Sequence, residues 1–97
     1  MKMRSWLFAP GDSEKKMSKA ADGDADVVIF DLEDAVAPEN KPAARGMIRE
    51  YLDAHPEKRE RIFVRVNPLD GPYALLDLAA VMPGRPGGIM LPNHAPL

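Results

Sequence analysis

The chain has 97 residues, 45% of them hydrophobic and 29% charged, with a net charge of −2 and no cysteine. This is the composition of one small globular domain, and it excludes disulfides, thiolate metal sites and cysteine nucleophiles. It also lacks the positive excess that would meet nucleic acid or an anionic bilayer.

The basic start Met1, Lys2, Met3 and Arg4 leads into Trp6, Leu7, Phe8 and Ala9. Pro10 and Gly11 stop that run short of the roughly 7–15 apolar residues of a signal peptide. No stretch approaches the roughly 20 apolar residues of a membrane span. The expected location is therefore the cytoplasm, with no membrane and no nucleic-acid partner.

Ser5 to Ala9 is short, apolar and aromatic, and reads as a first strand closed by a Pro-Gly turn. Met17, Ala20 and Ala21 are spaced by three and four residues, which predicts a helix over 13–21 with Asp12 or Ser13 as its N-cap. Val27, Val28, Ile29 and Phe30 form a continuous apolar run, as expected of a strand buried on both sides in a parallel sheet. A second helix is predicted over 38–54, with Ala43, Ala44, Met47, Ile48, Tyr51 and Leu52 on its apolar stripe. Lys41, Arg45, Arg49 and Glu50 are expected on the opposite side.

Ile62, Phe63, Val64 and Val66 predict a third strand. Pro72 suits the first turn of a third helix, whose apolar face would be Leu75, Leu76, Leu78, Ala79, Val81 and Met82. Gly88 to Leu91 is a short fourth strand. Trp6 and Phe8 are expected in the core. The order β-α-β-α-β-α-β is that of a parallel α/β sheet. It fits an open doubly wound sheet and part of a barrel equally well.

Polar residues collect where strands end: Asp12 after the first, Asp31, Glu33 and Asp34 at the second, Arg65 and Asn67 at the third. In parallel α/β folds these ends form the active face. Three carboxylates within four residues repel one another, and a metal ion, an arginine or solvent relieves them. They read as a site that handles a cation or orients a base, or alternatively as a solvated turn that caps a helix. Arg65 stands among strand residues, and a buried guanidinium needs a partner. Asp31 on the neighbouring strand is the expected one. The rest of the guanidinium fork would hold a carboxylate or an enolate oxygen. The opposing reading is an outward arginine lying between helices. Lys15, Lys16 and Lys19 could meet a phosphate or form a solvated helix face. His55 and His94 have no partners that suggest catalysis.

Four motifs, in order, carry a family resemblance. They are the Arg4 to Asp12 opening (RSWLFAPGD), the Ile29 to Pro38 segment (IFDLEDAVAP), the Val64 to Pro68 segment (VRVNP) and the Gly88 to Pro92 segment (GIMLP). Together they resemble the citrate lyase beta subunit-like, HpcH/HpaI aldolase family, which includes malyl-CoA and citramalyl-CoA lyases. The resemblance implies a (β/α)₈ barrel that makes or breaks a carbon–carbon bond next to a carbonyl. Mg²⁺ is the implied cofactor, and a 2-oxo or 2-hydroxy acid, often as a CoA thioester, the implied substrate. It makes Arg65 and Asn67 substrate-binding and Arg65, Asp31 and Asp34 catalytic. Arg65 would hold the oxygen on which charge builds, Asp31 would orient Arg65, and Asp34 would handle a proton. Arg4 and Lys15 become candidates for the CoA phosphates. The implied metal ligands, a Glu and an Asp, belong to strands after the fourth, beyond residue 97.

On this resemblance, residues 1–97 are the N-terminal portion of one barrel domain, with 93–97 as a tail outside the family pattern. A barrel takes about 250 residues, so the chain is expected to lack the C-terminal half of the domain through truncation, a frameshift or as a gene fragment. It is expected to be inactive alone. Intact relatives are expected to be trimers or hexamers. A non-catalytic half-barrel that self-associates or binds an intact homologue is one alternative. A haloacid dehalogenase-like phosphatase with Asp31 as nucleophile is another.

Overall fold

A computed structural model describes residues 5–92. Along it alternate β1 (Trp6–Pro10), α1 (Glu14–Ala21), β2 (Val27–Asp31), α2 (Lys41–Ala54), β3 (Ile62–Arg65), α3 (Ala74–Val81) and β4 (Gly88–Met90). Short 3-10 turns, Pro38–Asn40 and Met82–Gly84, precede α2 and follow α3. Ser13 caps α1, its hydroxyl accepting the Lys16 N–H at 3.2 Å. The tail expected over 93–97, and His94 with it, lie outside the described residues.

The strands form one parallel sheet in the order β1-β2-β3-β4. In its register Phe8 lies beside Ile29 and Ile29 beside Phe63, while Pro10 lies beside Asp31 and Asp31 beside Arg65. Successive strand side chains point to opposite faces. Ala9, Val28, Phe30, Ile62 and Val64 turn one way. They join one apolar cluster with Met17, Ala20 and Ala21 of α1, with Ala44, Ile48, Tyr51 and Leu52 of α2 and with Val81 of α3. All three helices thus pack on the same side. A doubly wound sheet would carry helices on both faces; a sequential strand order covered on one side is a section of barrel wall.

The other face corrects an expectation. Trp6 and Phe8 are not core residues but 46% and 47% exposed. They stand on the side that no described helix covers. Trp6 meets Phe63 edge-on, ring centres 6.3 Å apart. Ile29, between Phe8 and Phe63 in register, is nevertheless fully buried, so β2 is shielded on both faces as expected.

Two helices are rotated from their predicted settings. The buried stripe of α2 is Lys41, Ala44, Arg45, Ile48, Tyr51 and Leu52. Lys41 and Arg45, expected in solvent, are inside, and Ala43 is exposed. In α3 the buried residues are Ala74, Asp77 and Val81, whereas Leu75, Leu76 and Met82, expected on its apolar face, are exposed. The physical cause is a buried ion pair: Arg45 Nε donates to Asp77 Oδ1 at 2.8 Å across the α2–α3 contact. Among the described residues no helix is long and apolar enough to cross a membrane.

Candidate active site at the C-terminal rim

Asp31 ends β2 and Arg65 ends β3, and parallel pairing sets them side by side on the uncovered face. The Asp31 carboxylate takes four hydrogen bonds. Oδ1 accepts from Arg65 Nε at 2.9 Å and from the Glu33 N–H at 2.8 Å. Oδ2 accepts from Arg65 Nη2 at 2.7 Å and from the Ala35 N–H at 3.0 Å. This is a bidentate charge-assisted pair, the strong form of the interaction. The Asp31 carboxylate is buried while Arg65 keeps partial access to solvent, with side-chain exposures of 2% and 16%.

Burial pushes the Asp31 carboxyl up, but the Arg65 guanidinium and the two backbone N–H groups outweigh it and hold the group below the usual carboxylate range. Hydrogen bonding to Asp31 likewise raises Arg65 above its ordinary value against the opposing effect of burial, and the charges of Asp31, Glu33 and Asp34 add to the shift. Glu33 Oε1 lies 3.5 Å from Arg65 Nε.

Phe8 supplies the floor: its ring lies under the guanidinium, 4.8 Å from ring centre to Cζ. Phe8, Asp31, Asp34, Ala35 and Arg65 line an open concavity of about 330 Å³. Asp34 is exposed at its mouth. Arg65 Nη1 makes no hydrogen bond with the described residues, which leaves one side of the fork available to a ligand.

Asn67 is buried elsewhere. Its amide nitrogen donates to Leu32 O at 3.0 Å and to Asp77 Oδ2 at 2.7 Å, and its backbone N–H also donates to Asp77 Oδ2. It lies outside the residues lining the concavity and ties the ends of β2 and β3 to α3. Lys15 is exposed on α1. Arg4 lies outside the described residues. Asp12 reaches toward Asn40 at a long 3.5 Å, not toward Arg65. Gly11 belongs to the scaffold: its N–H donates to Asp31 O at 2.8 Å, and a β-carbon there would sit 2.8 Å from that oxygen and 2.7 Å from Ile48 Cδ1.

Lys41 went unnoticed as a site residue. Its Nζ donates to Leu32 O at 2.7 Å, Glu33 O at 3.0 Å and Val36 O at 3.1 Å, clamping the segment that carries the acidic residues. The available signal was its place in the 41, 44, 45, 48, 51, 52 stripe, where spacings of three and four predict burial.

A sheet wound in one direction with helices on a single side, bearing a guanidinium–carboxylate pair at the strand ends, is one section of a barrel-type α/β fold seen at its C-terminal rim. Residues 4–94 match the sequence model of the family described as HpcH/HpaI aldolase/citrate lyase. The chain belongs to that family. It is 39% identical over 90 residues to a (3S)-malyl-CoA thioesterase of Cereibacter sphaeroides, covering 93% of this chain and 32% of that protein. It is 44% identical over 80 residues to the citrate lyase subunit beta of Haemophilus influenzae, covering 81% and 27%. Among solved structures, CitE of Mycobacterium tuberculosis in complex with magnesium and pyruvate superposes with a TM-score of 0.75 at 42% identity, covering 90% of this chain and 34% of that one. The same protein is solved with magnesium, acetoacetate and coenzyme A, at a TM-score of 0.70 and 41% identity over 90% and 31%. The chain thus spans about a third of the length of the relatives it matches.

Proposed function

We propose that this chain forms the β1–β4 part of the active rim of a carbon–carbon lyase acting on a 2-oxo or 2-hydroxy acid unit, including its CoA thioesters, in the cytoplasm. The observation that carries the reading is the bidentate Asp31–Arg65 pair opening onto the concavity above Phe8. Cleaving the bond next to a carbonyl leaves its electron pair as an enolate. The unengaged side of the Arg65 fork is suited to the oxygen on which that charge develops, and fixed donors at such a point lower the barrier most. Asp31 fixes the guanidinium through two hydrogen bonds without itself reacting, since its acceptor positions are filled. On this reading Asp34, exposed at the mouth, would exchange a proton with substrate or water.

Magnesium is implied by the family and present in the CitE complexes. The described residues do not fit as its ligand set: they contain no group of three or more His, Asp or Glu side chains able to hold a metal, and Asp31 has no acceptor position to spare.

The test is a lyase assay with Mg²⁺ on malyl-, citramalyl- and citryl-CoA. The 97 residues alone are expected to give no turnover. Fused in register to the rest of the Haemophilus influenzae citrate lyase beta subunit, they are expected to give turnover that Arg65→Ala lowers by at least about a hundredfold, the scale of losing one oxyanion donor. An Arg65→Ala fusion as active as its parent overturns the reading.

A further inference from the structure

Lys41 stands at the first position of α2, the end of a helix that disfavours a cation. It is also buried, at 5% exposure, and among the described residues it belongs to no ion pair. Both placements are unfavourable for an ammonium unless something local compensates. That something is three backbone carbonyls, of Leu32, Glu33 and Val36, at 2.7, 3.0 and 3.1 Å. An ammonium has three donors, so each N–H has one oxygen. The Tyr73 ring closes the cage at 5.4 Å. A convergent set of backbone carbonyls is the coordination that a small monovalent cation receives.

The caged segment is also the segment that shapes the site. Leu32 N–H donates to Arg65 O at 2.9 Å. The N–H groups of Glu33 and Ala35, which lie between the caged carbonyls, are the two that hold the Asp31 carboxylate. With its carbonyls drawn to Lys41, the same stretch of backbone turns its N–H groups toward Asp31. We propose that Lys41 is a positioning residue whose ammonium acts as a tethered monovalent cation, holding the 32–36 backbone in the shape in which Asp31 grips Arg65. It acts through the backbone and touches neither the concavity nor the guanidinium. The inference deepens the proposed site, but its readout needs no turnover, so it and the lyase reading can fail separately.

The experiment follows the Asp31 carboxyl by ¹³C NMR titration in the full 97-residue chain, with Arg65, Glu33 and Asp34 as the charged groups that face it. In Lys41→Ala the Asp31 pKa is expected to rise by on the order of one unit as its N–H donors are released. Ammonium or methylammonium chloride, small enough for the cage, is expected to reverse the rise. Tetramethylammonium at equal ionic strength, which has no N–H to donate, is not. An unchanged Asp31 titration in folded Lys41→Ala overturns the proposal, as does equal restoration by all three salts, which would mark simple screening. Should Lys41→Ala not fold, the same titration is read in Lys41→Gln, which keeps a neutral donor. A rise there supports the proposal and a wild-type titration overturns it.

Discussion

Every acceptor direction of Asp31 is engaged, two by Arg65 and two by backbone N–H groups. An asparagine of the same shape would turn an NH₂ toward one of those donors and leave the guanidinium without its countercharge. Breaking a fully buried pair from one side costs about 3–5 kcal/mol, because the remaining charge is stranded. Arg65 keeps partial access to solvent, so Asp31→Asn is expected to lower unfolding free energy by less, about 1–3 kcal/mol at pH 7. The pH dependence has a fixed sign. The folded carboxyl lies below its ordinary value, so its contribution is complete above the unfolded pKa of about 3.9 and disappears as pH falls through the folded one. Below both values the aspartic acid is neutral, like asparagine. Urea titrations from pH 7 to about pH 2 should show the two proteins converge in acid; a constant gap would mean that the charge of Asp31 is not what stabilises the rim.

At the level of elements, α3 is set by one polar residue rather than by its leucines. Asp77, fully buried, accepts from Arg45 and twice from Asn67. Leu75 is 82% exposed. Asp77→Ala is expected to cost about 3–5 kcal/mol by stranding Arg45, whereas Leu75→Lys should fall within about 0.5 kcal/mol of wild type, as surface changes do. Thermal or urea unfolding of the two variants checks this. A large loss for Leu75→Lys would put the helix back in the setting its leucines suggest.

The same helix shows where sequence reading ends. Strand runs such as Val27 to Phe30, the turn glycine after β1 and the Asp31–Arg65 partnership were legible, because apolar continuity and the need to pair a strand guanidinium are local or nearest-neighbour facts. The settings of α2 and α3 were not. Hydrophobic periodicity treats Lys41, Arg45 and Asp77 as outward markers, yet these three are buried through partners 5 to 32 residues away. Asn67 stands at the same junction: a polar residue after a strand can reach a pocket or a neighbouring helix, and its backbone N–H and amide nitrogen both meet Asp77 of α3.

At the scale of the whole molecule, among the described residues β1 and β4 each have one edge without a paired strand, and one face of the sheet carries no helix. Leu7 and Phe8 at the β1 edge, with Lys16 and Lys19 of α1, line an open concavity of about 310 Å³, and Trp6, Leu7 and Phe8 are each close to half exposed. Parallel sheets are ordinarily covered on both faces, and unpaired edges recruit other strands. In a barrel further strands would occupy both places. Handled as a free polypeptide, the 97 residues are therefore expected to associate with one another as concentration rises, through the aromatic side of β1. Trp6→Lys with Leu7→Lys puts two charges on β1 while leaving the cluster under the helices intact, since neither residue belongs to it. That double variant should sediment as a smaller species than the parent at the same concentration, with its far-UV circular dichroism unchanged. A parent chain that stays monomeric across a concentration series while keeping its native spectrum would show that the bare face is tolerated by water after all. In that case β1 would be no more adhesive than any scattered surface residues.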